Sequence, residues 1–179
     1  MSKHTIIACS LLVAAGAAMA DQPGPYAGQH DREIKALSPQ ETQDYLQGKG
    51  MGYAKAAELN HYPGPAHVLE LADQLGLTAE QRDATTRLAN AHHAEARAIG
   101  IKRVDAERQL DALFHRGKAD ERSLADAVLL AAILEGEYRL SHLETHRRLR
   151  ALLTEDQVKR YDELRGYGGG KPEHHDRKH

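Results

Sequence analysis

His142-Leu143-Glu144-Thr145-His146 sets two imidazoles four residues apart. On a helix that spacing places them on one face, with about 5–6 Å between their Cβ atoms, so both rings can reach one metal ion at roughly 2 Å. Imidazole nitrogen suits zinc, nickel and cobalt. The competing reading is a pair of ordinary helix histidines, which a chain with 12 histidines among 179 residues produces by chance. The segment is not a zinc-protease signature. That motif needs a glutamate directly after the first histidine, whereas Glu144 stands two places on and points about 200° around the helix from His142.

Other patterns that carry chemistry are missing or incomplete. Gly48-Lys49-Gly50-Met51-Gly52 follows no strand, and Gly170-Lys171 runs into Pro172 where a phosphate loop has Ser or Thr. The single cysteine, Cys9, lies in the N-terminal apolar run and is expected to be lost with it, which removes thiolate chemistry, thiolate metal ligands and disulfides alike. The chain reads as a non-enzymatic protein that requires no cofactor, with a divalent metal (Zn, Ni or Co) as the one candidate.

Export is the clearest topological signal. Lys3 and His4 precede an uncharged apolar run from Ile6 to Ala18, and the small-residue triplet Ala18-Met19-Ala20 follows. This is the pattern of a cleavable signal peptide over 1–20, cut after Ala20, which delivers the chain to the periplasm. The run is shorter than the roughly 18 apolar residues a span needs, and no later stretch qualifies, so the mature form is expected to lack a membrane span. With 24 Lys plus Arg against 26 Asp plus Glu, the charge does not favour nucleic acid. Arg139, Arg147, Arg148 and Arg150 are read as a solvated face that could also attract acidic stretches of polypeptide.

Holding the histidines in place falls to an all-α fold. Residues 21–65 read as an irregular leader with short helices. Ser38-Pro39-Gln40-Glu41 starts one of these with a capping box and a first-turn proline, and a second is expected over 53–59. The helical domain covers 66–165, and 166–179 is a polar tail whose His174, His175 and His179 are secondary metal ligands at best. From Ala79 to Phe114 there is no proline, and Leu88, Ala91, Ala98, Ile101, Ala106, Leu110 and Leu113 form an apolar stripe. His115-Arg116-Gly117-Lys118 breaks it. A second long helix runs from about Ser123 to Leu152, so the two form an antiparallel hairpin. Mirrored about Gly117-Lys118, His142 falls level with His93, and His146 level with Arg87 to Asn90. A site of His142, His146 and either His92 or His93, with Glu95 as an oxygen ligand, is therefore the candidate.

One motif occurs twice. Leu77-Thr78-Ala79-Glu80-Gln81 recurs as Leu153-Thr154-Glu155-Asp156-Gln157. In each, Thr accepts from the amide three residues on while Gln reaches back, which marks a helix start with a leucine just outside it. Two such L-T-x-x-Q boxes, behind a signal peptide and around a long helical hairpin, resemble the Spy/CpxP family of periplasmic stress proteins, which includes zinc-resistance-associated and heavy-metal-sensor relatives. The likeness covers roughly Gly64 to Arg165. It implies an ATP-independent chaperone that holds unfolded or envelope proteins on a helical cradle, or alternatively a periplasmic heavy-metal sensor or resistance protein. The chain departs from parts of that pattern: beyond the signal only Met51 remains, so methionine-rich tracts are missing. Two long helices cannot shield both of their apolar sides, so a homodimer is expected.

Overall fold

In the computed structural model residues 23–168 are described. The segment expected to be a signal peptide and the three tail histidines lie outside them. Residues 23–31 belong to a separate small unit of turns, in which Ala27 N donates to Gly24 O and Gln29 N to Tyr26 O.

From Arg32 onward the described residues form helices: α1 (Pro39–Leu46), α2 (Lys55–Glu58), α3 (Pro65–Glu70), α4 (Ala79–His115), α5 (Glu121–Arg150) and α6 (Glu155–Arg165). No strand occurs among the described residues, and no helix is long and apolar enough to cross a membrane. The expected hairpin is present. α4 ends where Gly117 takes φ 63°, a left-handed turn that glycine adopts without steric cost. α5 begins two residues earlier than the sequence suggests, because Asp120 caps it, accepting from Arg122 N and Ser123 N at 3.0 Å.

Both L-T-x-x-Q capping boxes form. Thr78 Oγ1 accepts from Gln81 N at 3.1 Å, and Thr154 Oγ1 from Gln157 N at 3.2 Å. Leu153 and Val158 share one buried cluster, as a hydrophobic staple would place them, and Leu77 packs at its edge.

The faces the hairpin buries are more polar than the apolar stripes suggest. On α4 the buried positions are Thr85, Leu88, Ala96, Gly100, Arg103, Val104, Ala106 and Glu107, while Ile101 is exposed. Arg103 is admitted because Glu107 Oε1 accepts from its Nη1 at 2.6 Å and Glu135 Oε2 from its Nη2 at 3.3 Å, which offsets the cost of burying its charge. Gly100 is required by contact: a Cβ there would stand 2.0 Å from Tyr45 O, because α1 crosses α4 backbone to backbone at this point.

Two larger apolar clusters sit along the hairpin, besides a small one of Ala106, Ala131 and Leu134. One gathers Val68, Leu75, Leu88, Leu149, Leu153, Val158 and Tyr161. The other gathers Ile34, Leu37, Tyr45, Ala96, Val104 and Tyr138. Each buried Val- or Leu-sized side chain contributes roughly 1.5–3 kcal/mol. Between them, after Leu88 and before Ala96 on α4, and between Tyr138 and Leu149 on α5, the seam is occupied by histidine.

Candidate metal-binding cleft

His142 and His146 lie on the buried side of α5, one turn apart, with only 4 % and 9 % of their surface exposed. His92 of α4 meets His142 across the seam, its Nε2 2.9 Å from His142 Nδ1. The hairpin alignment read from the sequence is therefore correct to within a residue, and the facing histidine is His92 instead of His93.

A hydrogen bond between two neutral imidazoles uses one N–H and one lone pair. Whichever ring donates, the remaining nitrogens, His92 Nδ1 and His142 Nε2, comprise one N–H and one bare lone pair. Both atoms are buried without a partner. Burial first, and then neighbouring imidazole charge, pushes His92 and His142 down to about 4, so both are neutral at ordinary pH.

His146 is oriented from the other side. Its Nδ1 donates to Tyr62 O at 2.8 Å, which orients the ring. Glu58 Oε2 lies 3.5 Å from that Nδ1. Both Tyr62 and Glu58 belong to the segment 47–64, a strap laid beside the hairpin. Tyr138 fastens the strap by donating to Lys49 O at 2.7 Å, and Tyr53 stacks on the His142 ring with centroids 6.4 Å apart.

Strap, α3, α4 and α5 enclose a cleft of about 740 Å³, lined among others by Met51, Glu58, His92, His142, His146 and Arg165. Of the residues expected at the site, His92, His142 and His146 are brought together. His93 is exposed at the rim and also borders a shallower hollow with Arg97. Glu95 is exposed and does not line the cleft. Glu58 and Tyr62 are additions that no local spacing announces, since the strap brings them in from a distant part of the chain.

Among the described residues no three His, Cys, Asp or Glu side chains are arranged to hold a metal ion as they stand. Two of the rings hold each other instead. Ligands about 2.0–2.1 Å from one tetrahedral ion are about 3.3 Å apart, so His92 Nε2 and His142 Nδ1 would hold one cation only with the rings parted and turned, and with the proton between them moved to the outer nitrogen of its ring. The donor chemistry fits a divalent cation: neutral imidazoles, unpartnered buried nitrogens and a carboxylate close by.

Comparison of the chain with protein-family models, with curated proteins and with solved structures finds no match. The resemblance to the Spy/CpxP family therefore rests on the doubled motif and the hairpin.

Proposed function

We propose that this protein is a non-enzymatic, exported, helical-hairpin protein that binds a divalent metal ion such as zinc, nickel or cobalt in the histidine cleft, in a sensing or resistance role in the periplasm. The observation that carries the reading is the meeting of His92, His142 and His146 from both long helices in one cleft, with two buried ring nitrogens left without partners. Most buried polar atoms have a partner, so two unpartnered ring nitrogens facing one cleft favour a ligand there. A ligand that binds only the folded chain also stabilises it by mass action. Isothermal titration of the untagged protein with zinc, nickel and cobalt, repeated after truncation at Gly168, tests the reading. Micromolar or tighter binding that survives truncation and is lost in His142→Ala/His146→Ala supports it; binding confined to the tail overturns it. Fractionation of expressing cells tests the export.

A second reading, polypeptide binding on a helical cradle, is favoured by the outer face of α5. Leu129, Ile133 and Leu140 are 60 %, 58 % and 63 % exposed, and lie about half a turn around the helix from buried Tyr138. A monomer seldom leaves such a stripe bare. It suits an unfolded client or a second copy of the chain. Suppression of client aggregation at stoichiometric concentration, and its loss in Ile133→Lys, tests this role, and sedimentation tests the homodimer.

A further inference from the structure

Gly136 stands in the middle of α5 on its exposed side, where a Cβ would meet nothing within 4 Å. Nothing in the folded monomer requires glycine there, and glycine is the weakest helix former after proline. Its neighbours along the same side of the helix are apolar. Leu129, Ile133, Gly136, Leu140 and Leu143 follow one another at steps of four, three, four and three residues, the spacing that keeps one seam facing a partner helix in a coiled coil. Leu129, Ile133 and Leu140 are more than half exposed and Leu143 is half-buried, so the monomer leaves this seam largely bare. At 1.5 Å per residue it is about 21 Å long.

The charges at the two ends of the seam favour one direction for a partner. Asp126, near the start of α5, has a marginal partner of its own, Arg122 at 4.0 Å, and both side chains are exposed. At the other end Arg147 and Arg150 are taken by Glu144 and Glu155, while Arg148 forms no ion pair among the described residues. Asp126 and Arg148 lie on the same flank of the seam, about 40° apart around the helix. Two copies laid antiparallel about Gly136 set Asp126 of one beside Arg148 of the other, Leu129 opposite Leu143 and Ile133 opposite Leu140. The helix dipoles then oppose, which is favourable. A parallel pair would set each charge against its own kind. Glu137 meets its own copy beside the antiparallel axis, but at the exposed rim, where salt screens the repulsion.

We infer that the outer face of α5 pairs with the same face of a second copy of this chain, antiparallel, with Gly136 at the two-fold axis. This deepens the second reading above by selecting a second copy over an unfolded client, and it does not depend on the metal site. At a two-fold axis each residue meets its own copy, so a side chain there is met by a second identical one. The distance between packed helices follows the side chains at their contact, and glycine at the axis lets the two backbones approach closely enough for the leucines on either side to interdigitate. An unfolded client has no fixed register. It would gain nothing from a glycine at the centre of the stripe.

Cysteine cross-linking in the full chain, with Cys9→Ser as background, reads the arrangement directly. Gly136→Cys is expected to give a disulfide-linked dimer on mild oxidation, because the two Cβ atoms face each other across the axis. Leu129→Cys and Leu143→Cys are each expected to stay largely unlinked alone and to link when mixed. Gly136→Glu, which sets two like charges at the axis, should weaken association in sedimentation by about tenfold or more. It should melt no lower than the parent at concentrations where the parent is monomeric, since it replaces an exposed helix glycine. Leu129→Cys that links to itself shows a parallel pair and overturns the inference. So does a parent that stays monomeric through the micromolar range, or one whose association Gly136→Glu matches. Client aggregation then decides the face separately: suppression by the parent that Ile133→Lys loses leaves polypeptide binding standing, and no suppression removes both.

Discussion

The side-chain amides of Gln81 and Gln157 donate to one another: Gln81 Nε2 to Gln157 Oε1 at 2.8 Å, and Gln157 Nε2 to Gln81 Oε1 at 2.9 Å. Each Oε1 also accepts from the threonine amide of its own capping box, at 3.0 Å from Thr78 N and 2.9 Å from Thr154 N. Gln81 Nε2 donates further to Leu152 O at 2.8 Å. Two motifs that look like separate helix starts are thus the two halves of one clasp, which joins the start of α4 to the start of α6.

Breaking either half disturbs both. Gln81→Ala and Gln157→Ala are each expected to cost about 1–2 kcal/mol, the loss of a cap together with an amide left short of a partner. The double variant is expected to cost less than the sum of the two, by roughly 0.5 kcal/mol or more. Urea denaturation of the four proteins checks this, and strict additivity would show that the two amides act independently.

Gly100→Ala places a methyl group where Tyr45 O already lies. Since that neighbour is backbone, α1 must move away, and a loss of about 1–3 kcal/mol is expected even though alanine favours helix. A stability equal to or above that of the parent, measured by denaturant midpoint, would mean that α1 does not sit against α4 in solution.

Acid should weaken the fold through the histidine pair. His92 and His142 stand at about 4 when folded, below the ordinary 6.5. Above pH 6.5 both rings are neutral in either state and contribute no pH dependence. As pH falls from 6.5 toward 4, the unfolded chain takes up protons that the folded chain refuses, so stability is lost across that window, by on the order of a few kcal/mol for the pair. His92→Leu with His142→Leu should flatten this part of the profile and leave stability at pH 7.5 equal or higher, because two unpartnered nitrogens are removed. Urea midpoints in chelator between pH 7.5 and 4.5 measure both effects.

The outer face of α5 makes no comparable demand on the folded monomer. Ile133→Lys is expected to change unfolding free energy by no more than about 0.5 kcal/mol while reducing self-association or client binding. A large drop in stability at protein concentrations where the parent is monomeric would show that Ile133 is packed within the chain.

Much of this architecture is legible in the sequence, because its signals are local: capping boxes at Ser38, Thr78 and Thr154, a glycine at 117, and apolar residues at helical spacing. The faces were harder. Hydrophobicity draws Ile101 inward, but the buried side of α4 runs through Gly100, which meets Tyr45 of α1, and through Arg103 and Glu107, which pair with each other, Arg103 also reaching Glu135 of α5. One residue of alignment separates His92 from His93, finer than spacing can fix. Glu58 left no trace, since a carboxylate delivered by a strap has no periodicity. The terminal turns also differ: the helical domain, read as beginning at 66, opens with a helix that starts at Pro65, stops at Glu70 and continues as turns to Gly76.

The histidine layer between the two apolar clusters has a consequence for how the chain finds its fold. A hairpin of leucine and alanine alone could zip up one turn out of step and still bury oily surface. Here such a slide would press His142 against Leu88 or Ala96, stripping an imidazole of water with no ring to bond, so mis-zipped forms are penalised where the correct one is not. The pair of rings thus serves as an alignment mark during folding, whatever else occupies the cleft afterwards.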